Sequence, residues 1–154
     1  MVVDEACREA VAGSYLARGL EPAAIDRVAE LGARRAFVPG EPLLRRNAPD
    51  DDLHILLAGR ARVMGRTGET LHEIAAGSVV GEIALLDRRP RSASVEAITA
   101  CDVLAIPASQ LLELIESDTA IGVVILKNLA GLLCERLRST SAQLDTVLVL
   151  QAHC

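Results

Sequence analysis

Apolar and polar positions follow three different rhythms along this chain. Between Glu21 and Ala33 the apolar residues Ile25, Val28 and Ala29 share one helical face, and Pro22 suits a first turn, so a helix is predicted there. PGEPLL (Pro39 to Leu44) closes it with two prolines and a glycine and opens extended chain. From Phe37 to about Pro107, short apolar runs alternate with turn residues. LHILLAG, ARVMG, TLHEIAAG, SASVEAI and CDVLAI each read as a strand of a few residues, and GRTGE, between Val63 and Leu71, reads as a hairpin turn. Many short strands at close spacing predict an antiparallel sandwich or roll rather than alternating βαβ units. After Pro107 the period lengthens again. SQLLELI predicts a short helix, and from Asp118, a suitable N-cap, a proline-free run predicts one long helix to nearly the end.

The long helix carries a seam. Val123, Leu126, Ala130, Leu133, Leu137, Leu144 and Val147 fall at spacings of three and four, with Thr140 interrupting them. Such a seam predicts packing against a second copy of the chain, a homodimer, with a helix lying only on its own roll as the alternative. Gly122 and Gly131 lower helix propensity, so the helix is expected to lean on that packing. The fold class expected is mainly β with flanking helices: an antiparallel β-roll (jelly roll) with an N-terminal helix and a long C-terminal helix. It forms a single structural domain, with an N-terminal helical segment over 1–36, the roll over 37–107 and C-terminal helices over 108–154.

Composition narrows the function. The chain has 154 residues, 51% of them hydrophobic, yet one Phe, one Tyr and no Trp, so its core must be aliphatic. So few aromatic rings argue against a platform for single-stranded nucleic acid. A net charge of −5 argues against general attraction to DNA or an anionic membrane. Any anion bound here must be held by a local group of arginines. The acidic N-terminus does not read as a signal peptide, and no apolar stretch approaches a membrane span, so a cytoplasmic protein without membrane insertion is expected. Cys7, Cys101, Cys134 and Cys154 are far apart with no CxxC pair, which weakens disulfide, zinc and redox-sensor readings. His54, His72 and His153 are also far apart, so a metal-dependent enzyme on the roll is disfavoured and no enzymatic activity is expected.

One stretch mixes these chemistries. In GEIALLDRRPRSASV, Gly81 to Val95, an apolar run sits beside three arginines around a proline. A turn at Gly81 followed by a short helix would present free N–H groups to an anion. Pro90 restricts the chain before Arg91, whose guanidinium can grip two phosphate oxygens, and Ser92 can add a hydroxyl donor. Glu82 would repel phosphate but accept hydrogen bonds from sugar hydroxyls. Arg88 and Arg89 read as a solvated loop. Together these groups describe a site for a ribose carrying a singly charged phosphate.

From about Phe37 to Leu150 the chain resembles the cyclic nucleotide-binding domain family. Gly81, Glu82, Ile83, Ala84 and Leu85, followed by Pro90, Arg91, Ser92 and Ala93, match its phosphate-binding cassette at the spacing of the regulatory subunits of cAMP-dependent protein kinase. The resemblance implies that Arg91 and the Ala84 amide bind the cyclic phosphate and that Glu82 binds the ribose 2′-hydroxyl. AITACDVLAI and ERLRSTSAQL look like the catabolite activator branch of the family, which implies that Thr140 and Ser141 contact the adenine, one from each subunit. It also implies that Val63 and Leu71 face the base, where an ordinary core role is equally open to them. The chain departs from the family in RRNAPDDD, where Asn47 and Asp50 replace common glycines; both residue types tolerate left-handed backbone. Ser92 leaves cAMP and cGMP open, and Thr140 with Ser141 favours cAMP. The expected function is a cyclic nucleotide sensor that signals through its C-terminal helix. The alternatives are a fragment of a catabolite activator-type transcription regulator or a regulatory domain of a larger cyclic-nucleotide-controlled protein. No recognition helix follows the long helix, so no DNA binding is expected of this chain alone.

Overall fold

The run LHILLA, apolar except for His54, becomes a strand covered on both faces in the computed structural model, which describes residues 3–153. Two helices come first, α1 (Glu5–Gly13) and α2 (Pro22–Leu31), separated by a 3-10 turn at Tyr15–Ala17. Eight strands follow: β1 (Ala33–Phe37), β2 (Pro42–Leu44), β3 (Leu53–Ala58), β4 (Arg60–Met64), β5 (Thr70–Ala75), β6 (Val79–Val80), β7 (Ser94–Ala97) and β8 (Cys101–Ile106). A short helix, α3 (Glu82–Asp87), lies between β6 and β7, and α4 (Ala108–Ser117) and α5 (Thr119–Ala152) end the described chain. β1, β8, β3 and β6 form one antiparallel sheet in that order, and β2, β7, β4 and β5 form the other. This is the mainly β roll with flanking helices that the apolar pattern predicts, and GRTGE turns between β4 and β5.

Two cores explain the burial. Between the sheets, Phe37, Leu44, Leu56, Val80, Val95 and Val103 pack together as an almost purely aliphatic filling. On the other face of the first sheet, Leu53, Ile55, Leu104 and Ile106 meet Val11, Val28, Leu111, Ile125 and Leu129 from the helices. Successive residues of β3 therefore face different cores, and neither face has room for polar alternation.

Strand structure begins at Ala33, ahead of the expected start at Phe37, and α2 ends at Leu31. In ARRAF only Phe37 is buried, so no alternation marked β1; its pairing with β8, from Ala33 opposite Ala105 to Phe37 opposite Cys101, defines it. Two glycines of α5 sit where the helix presses on its own domain. A Cβ on Gly122 would lie 2.2 Å from the Ile115 carbonyl oxygen, and one on Gly131 would lie 3.0 Å from the Tyr15 hydroxyl. Both glycines let α5 approach its own domain closely, whereas the seam faces elsewhere.

Asp118 caps α5 by accepting from the Ile121 N–H at 3.3 Å. One face then buries Ile121, Ile125 and Leu129 in the helix-side core, and Asn128 Nδ2 donates to the carbonyls of Leu16 and Arg18, both at 2.8 Å. Past Arg136 every described residue of the helix is exposed. The seam residues Val123, Leu126, Leu137, Leu144 and Val147 are all exposed large apolar side chains. Among the described residues no helix is long and apolar enough to cross a membrane. Cys7 and Cys101 are buried free thiols and Cys134 is an exposed one; Cys154 lies outside the described residues.

Candidate functional site

β6 delivers the chain to Gly81 in left-handed backbone, φ +90°. A Cβ there would stand 2.7 Å from Arg91 Nη1 and equally close to the Asp52 carbonyl oxygen, so a glycine is what allows α3 to start against Arg91. Within α3, Ala84 and Leu85 are buried and Leu85 seats the helix in the helix-side core, whereas Ile83 and Leu86 are partly exposed. Arg88 ends the helix in left-handed backbone with its N–H on the Ala84 carbonyl at 3.0 Å. Its side chain reaches Asp51 at 3.7 Å on the surface.

The two charged residues singled out from sequence are almost fully enclosed. Arg91 is 2% exposed, and its Nη2 donates to Asp50 Oδ2 and to the Asp52 carbonyl, both at 2.7 Å, while Nη1 donates to the Gly81 carbonyl at 3.4 Å. Its backbone is clamped by the preceding loop: Asn47 N–H donates to the Arg91 carbonyl at 2.9 Å, and Arg91 N–H donates to the Ala48 carbonyl at 3.0 Å. Asn47 adopts left-handed backbone, φ +66°, but Asp50 does not; instead its carboxylate reaches Arg91. Glu82 is 1% exposed, and its Oε1 accepts from Arg136 Nη1 on α5. Arg136 Nη2 also donates to the Val79 carbonyl at 2.6 Å, which ties the long helix to the start of the cassette. Glu82 Oε2 and Arg91 Nε are buried without a protein partner.

Both residues line a cavity of about 450 Å³. Gly81, Ile83, Ala84, Ser92, Ala93, Val63 and Thr140 line it too, as the sequence led one to expect. Leu71 and Ser141 do not. Side chains alternate along β5, and it is His72 that pairs with Val63 and shares its face, so Leu71 points away and is exposed. On α5 the lining residues are Arg136, Ser139, Thr140 and Gln143, at offsets of three, four and seven that define one helical face. Ser141 is turned off that face and exposed. Arg136, His72, Ser139 and Gln143 were missed from sequence. The helical offset from Thr140 would have found Arg136 one turn earlier and Gln143 one turn later. Ser92 faces the cavity, with its carbonyl held by Arg46 Nη1 at 2.6 Å.

Deeper in the roll, His54 on β3 is 2% exposed, and neither ring nitrogen has a partner. Burial, then the positive charges of Arg91 and Arg35, push its pKa down to about 4, against a weaker upward pull from Asp50. Among the described residues no group of three His, Cys, Asp or Glu side chains is placed to hold a metal ion.

An enclosed acceptor and an enclosed guanidinium on one cavity, with a helix closing over it, define a site for a small polar anion. The comparisons with known proteins agree. The model of the cyclic nucleotide-binding domain matches residues 34–118, and the chain belongs to that family. The "Cyclic AMP receptor protein" of Thermus thermophilus is 31% identical over 137 residues, covering 86% of this chain and 62% of the relative. The crystal structure of the Thermus thermophilus catabolite activator protein superposes with a TM-score of 0.75 at 30% identity, covering 87% of this chain and 63% of that one. "Glutaminase 1" of Bradyrhizobium diazoefficiens is 34% identical over 129 residues, which are 82% of this chain but only 21% of that protein. The chain thus spans less than two thirds of the length of each of these proteins.

Proposed function

We propose that this domain is a non-enzymatic sensor that binds cAMP in the cavity and passes the signal through α5. One observation carries the reading: a buried Glu82 oxygen and a buried Arg91 nitrogen, both without protein partners, belong to residues lining the same cavity. They supply the hydroxyl acceptor and the phosphate donor of a ribose cyclic phosphate. The Ala84 amide, at the first turn of α3, adds a further donor, and Ser92 can add its hydroxyl. Val63 and Thr140 flank the space left for the base. Thr140 favours adenine over guanine, with cGMP as the weaker ligand. In the proposed division of labour residues 37–107 hold phosphate and ribose, and residues 108–154 read the base and carry the output.

Calorimetric titration of nucleotide-stripped protein with cAMP and then cGMP tests this directly. Binding at micromolar affinity or tighter, with cAMP preferred, is expected; folded, empty protein that takes up neither nucleotide would end the reading.

The exposed seam of α5 supports a homodimer. In that dimer Ser141, turned away from its own cavity, would contact the base held in the other subunit. Sedimentation at micromolar concentration should give twice the mass of the 16.3 kDa chain; a monomer with and without ligand would refute it. The free thiols fit a reducing cytoplasm. The glutaminase relative, in which the matching segment is a fifth of the protein, favours a second role as one regulatory domain of a longer chain. DNA binding would need a recognition element supplied from elsewhere, because a net charge of −5 gives no general attraction to DNA.

A further inference from the structure

The arginine that the preceding reading assigns to phosphate is already engaged by an anion of the protein's own. Arg91 Nη2 meets Asp50 Oδ2 at 2.7 Å, in a pair whose side chains are 2% and 53% exposed respectively. The other acceptors on this guanidinium, the carbonyls of Asp52 and Gly81, are backbone and stay where the chain holds them. Asp50 differs from them. Its carboxylate comes from the solvent side, on a loop whose position is fixed independently by the Asn47 and Ala48 hydrogen bonds to the Arg91 backbone. It can leave by side-chain rotation alone, into water that already reaches half of it.

We propose that Asp50 is an internal competitor for the ligand's phosphate. A phosphate gripped by two oxygens along one guanidinium edge would take Nε and the adjacent Nη2, the nitrogen that Asp50 already holds, and Nη2 cannot serve both anions at full strength. Asp50 keeps the buried guanidinium partnered while the cavity is empty, avoiding the cost of an isolated enclosed charge. Binding then becomes an exchange of one anion for another, and its net gain is smaller than a fresh phosphate–arginine contact would give. The device raises the ligand concentration needed for response. It also withholds binding from uncharged nucleosides, which cannot displace the carboxylate.

The inference rests on the assignment of Arg91 to the phosphate, and the test separates the two. Calorimetric titrations with cAMP would compare the native protein with Asp50→Asn, Asp50→Ala and Asp51→Asn. Asp51 carries the same charge next door but pairs with Arg88 on the surface, so it controls for long-range repulsion. Both Asp50 variants should bind about five-fold more tightly, and Asp51→Asn should change affinity by less than about two-fold. Equal tightening in the Asp50 and Asp51 variants would reduce the effect to general charge and overturn the competition. Unchanged or weaker binding in the Asp50 variants, with native binding intact, would make Asp50 a support of Arg91 instead. Absence of binding in every protein would remove the cAMP reading itself, and this inference with it.

Discussion

Arg91→Ala is expected to weaken cAMP binding by about 2 kcal/mol or more, roughly 30-fold, the scale of a lost charge-assisted contact to phosphate. The size follows from enclosure. At 2% exposure the guanidinium is shielded from water, so its attraction for an anion is screened far less than that of the surface arginines Arg88 and Arg89. Arg91→Lys keeps the charge but loses the fork and should fall between the two. The substitution also frees the Asp52 and Gly81 carbonyls, so thermal unfolding of the empty proteins should accompany the titrations. Native-like affinity in a folded Arg91→Ala protein would move the phosphate elsewhere.

Acid should destabilise the domain through His54, by about 3 kcal/mol between pH 6.5 and 4. The folded state holds this imidazole neutral, since it is enclosed, unpartnered and close to the charges of Arg91 and Arg35. The unfolded chain takes up its proton near pH 6.5. Between the two values the unfolded state therefore binds more protons, and stability rises with pH across that window. The contribution is fully present above pH 6.5 and gone below about 4. Urea unfolding at intervals across the window should give a steep decline for the native protein and a much flatter one for His54→Leu, in which this buried imidazole is gone. Parallel declines would assign the acid sensitivity to other groups.

Much of this molecule could be read from its residues, for identifiable reasons. β3 and β8 are apolar but for His54 and Asp102 and announce themselves, while β1 exposes four of its five side chains and owes its existence to pairing with β8. Local chemistry in the cassette was equally plain: Gly81, Glu82 and Arg91 lie within one short stretch. What was not legible depends on long-range placement. Which neighbour on β5 faces the cavity is a matter of strand parity, settled by the pairing of His72 with Val63. Arg136 meets Glu82 across 54 positions of sequence, and Asp50 meets Arg91 across 41. Asp50 drew notice from sequence only as a residue in a glycine's place, when its side chain was the informative part.

The Glu82–Arg136 ion pair is the last described polar tie between α5 and the roll before the helix runs free. Ala152 lies sixteen positions beyond Arg136, about 24 Å of helix at 1.5 Å per residue. That length is a lever with its fulcrum at the edge of the cavity. A tilt of about 10° at Arg136 would sweep the tip through about 4 Å, roughly half the spacing between packed helices. A small rotation of α5 about the Glu82–Arg136 pair would thus reach whatever grips the far end as a displacement of a few ångströms.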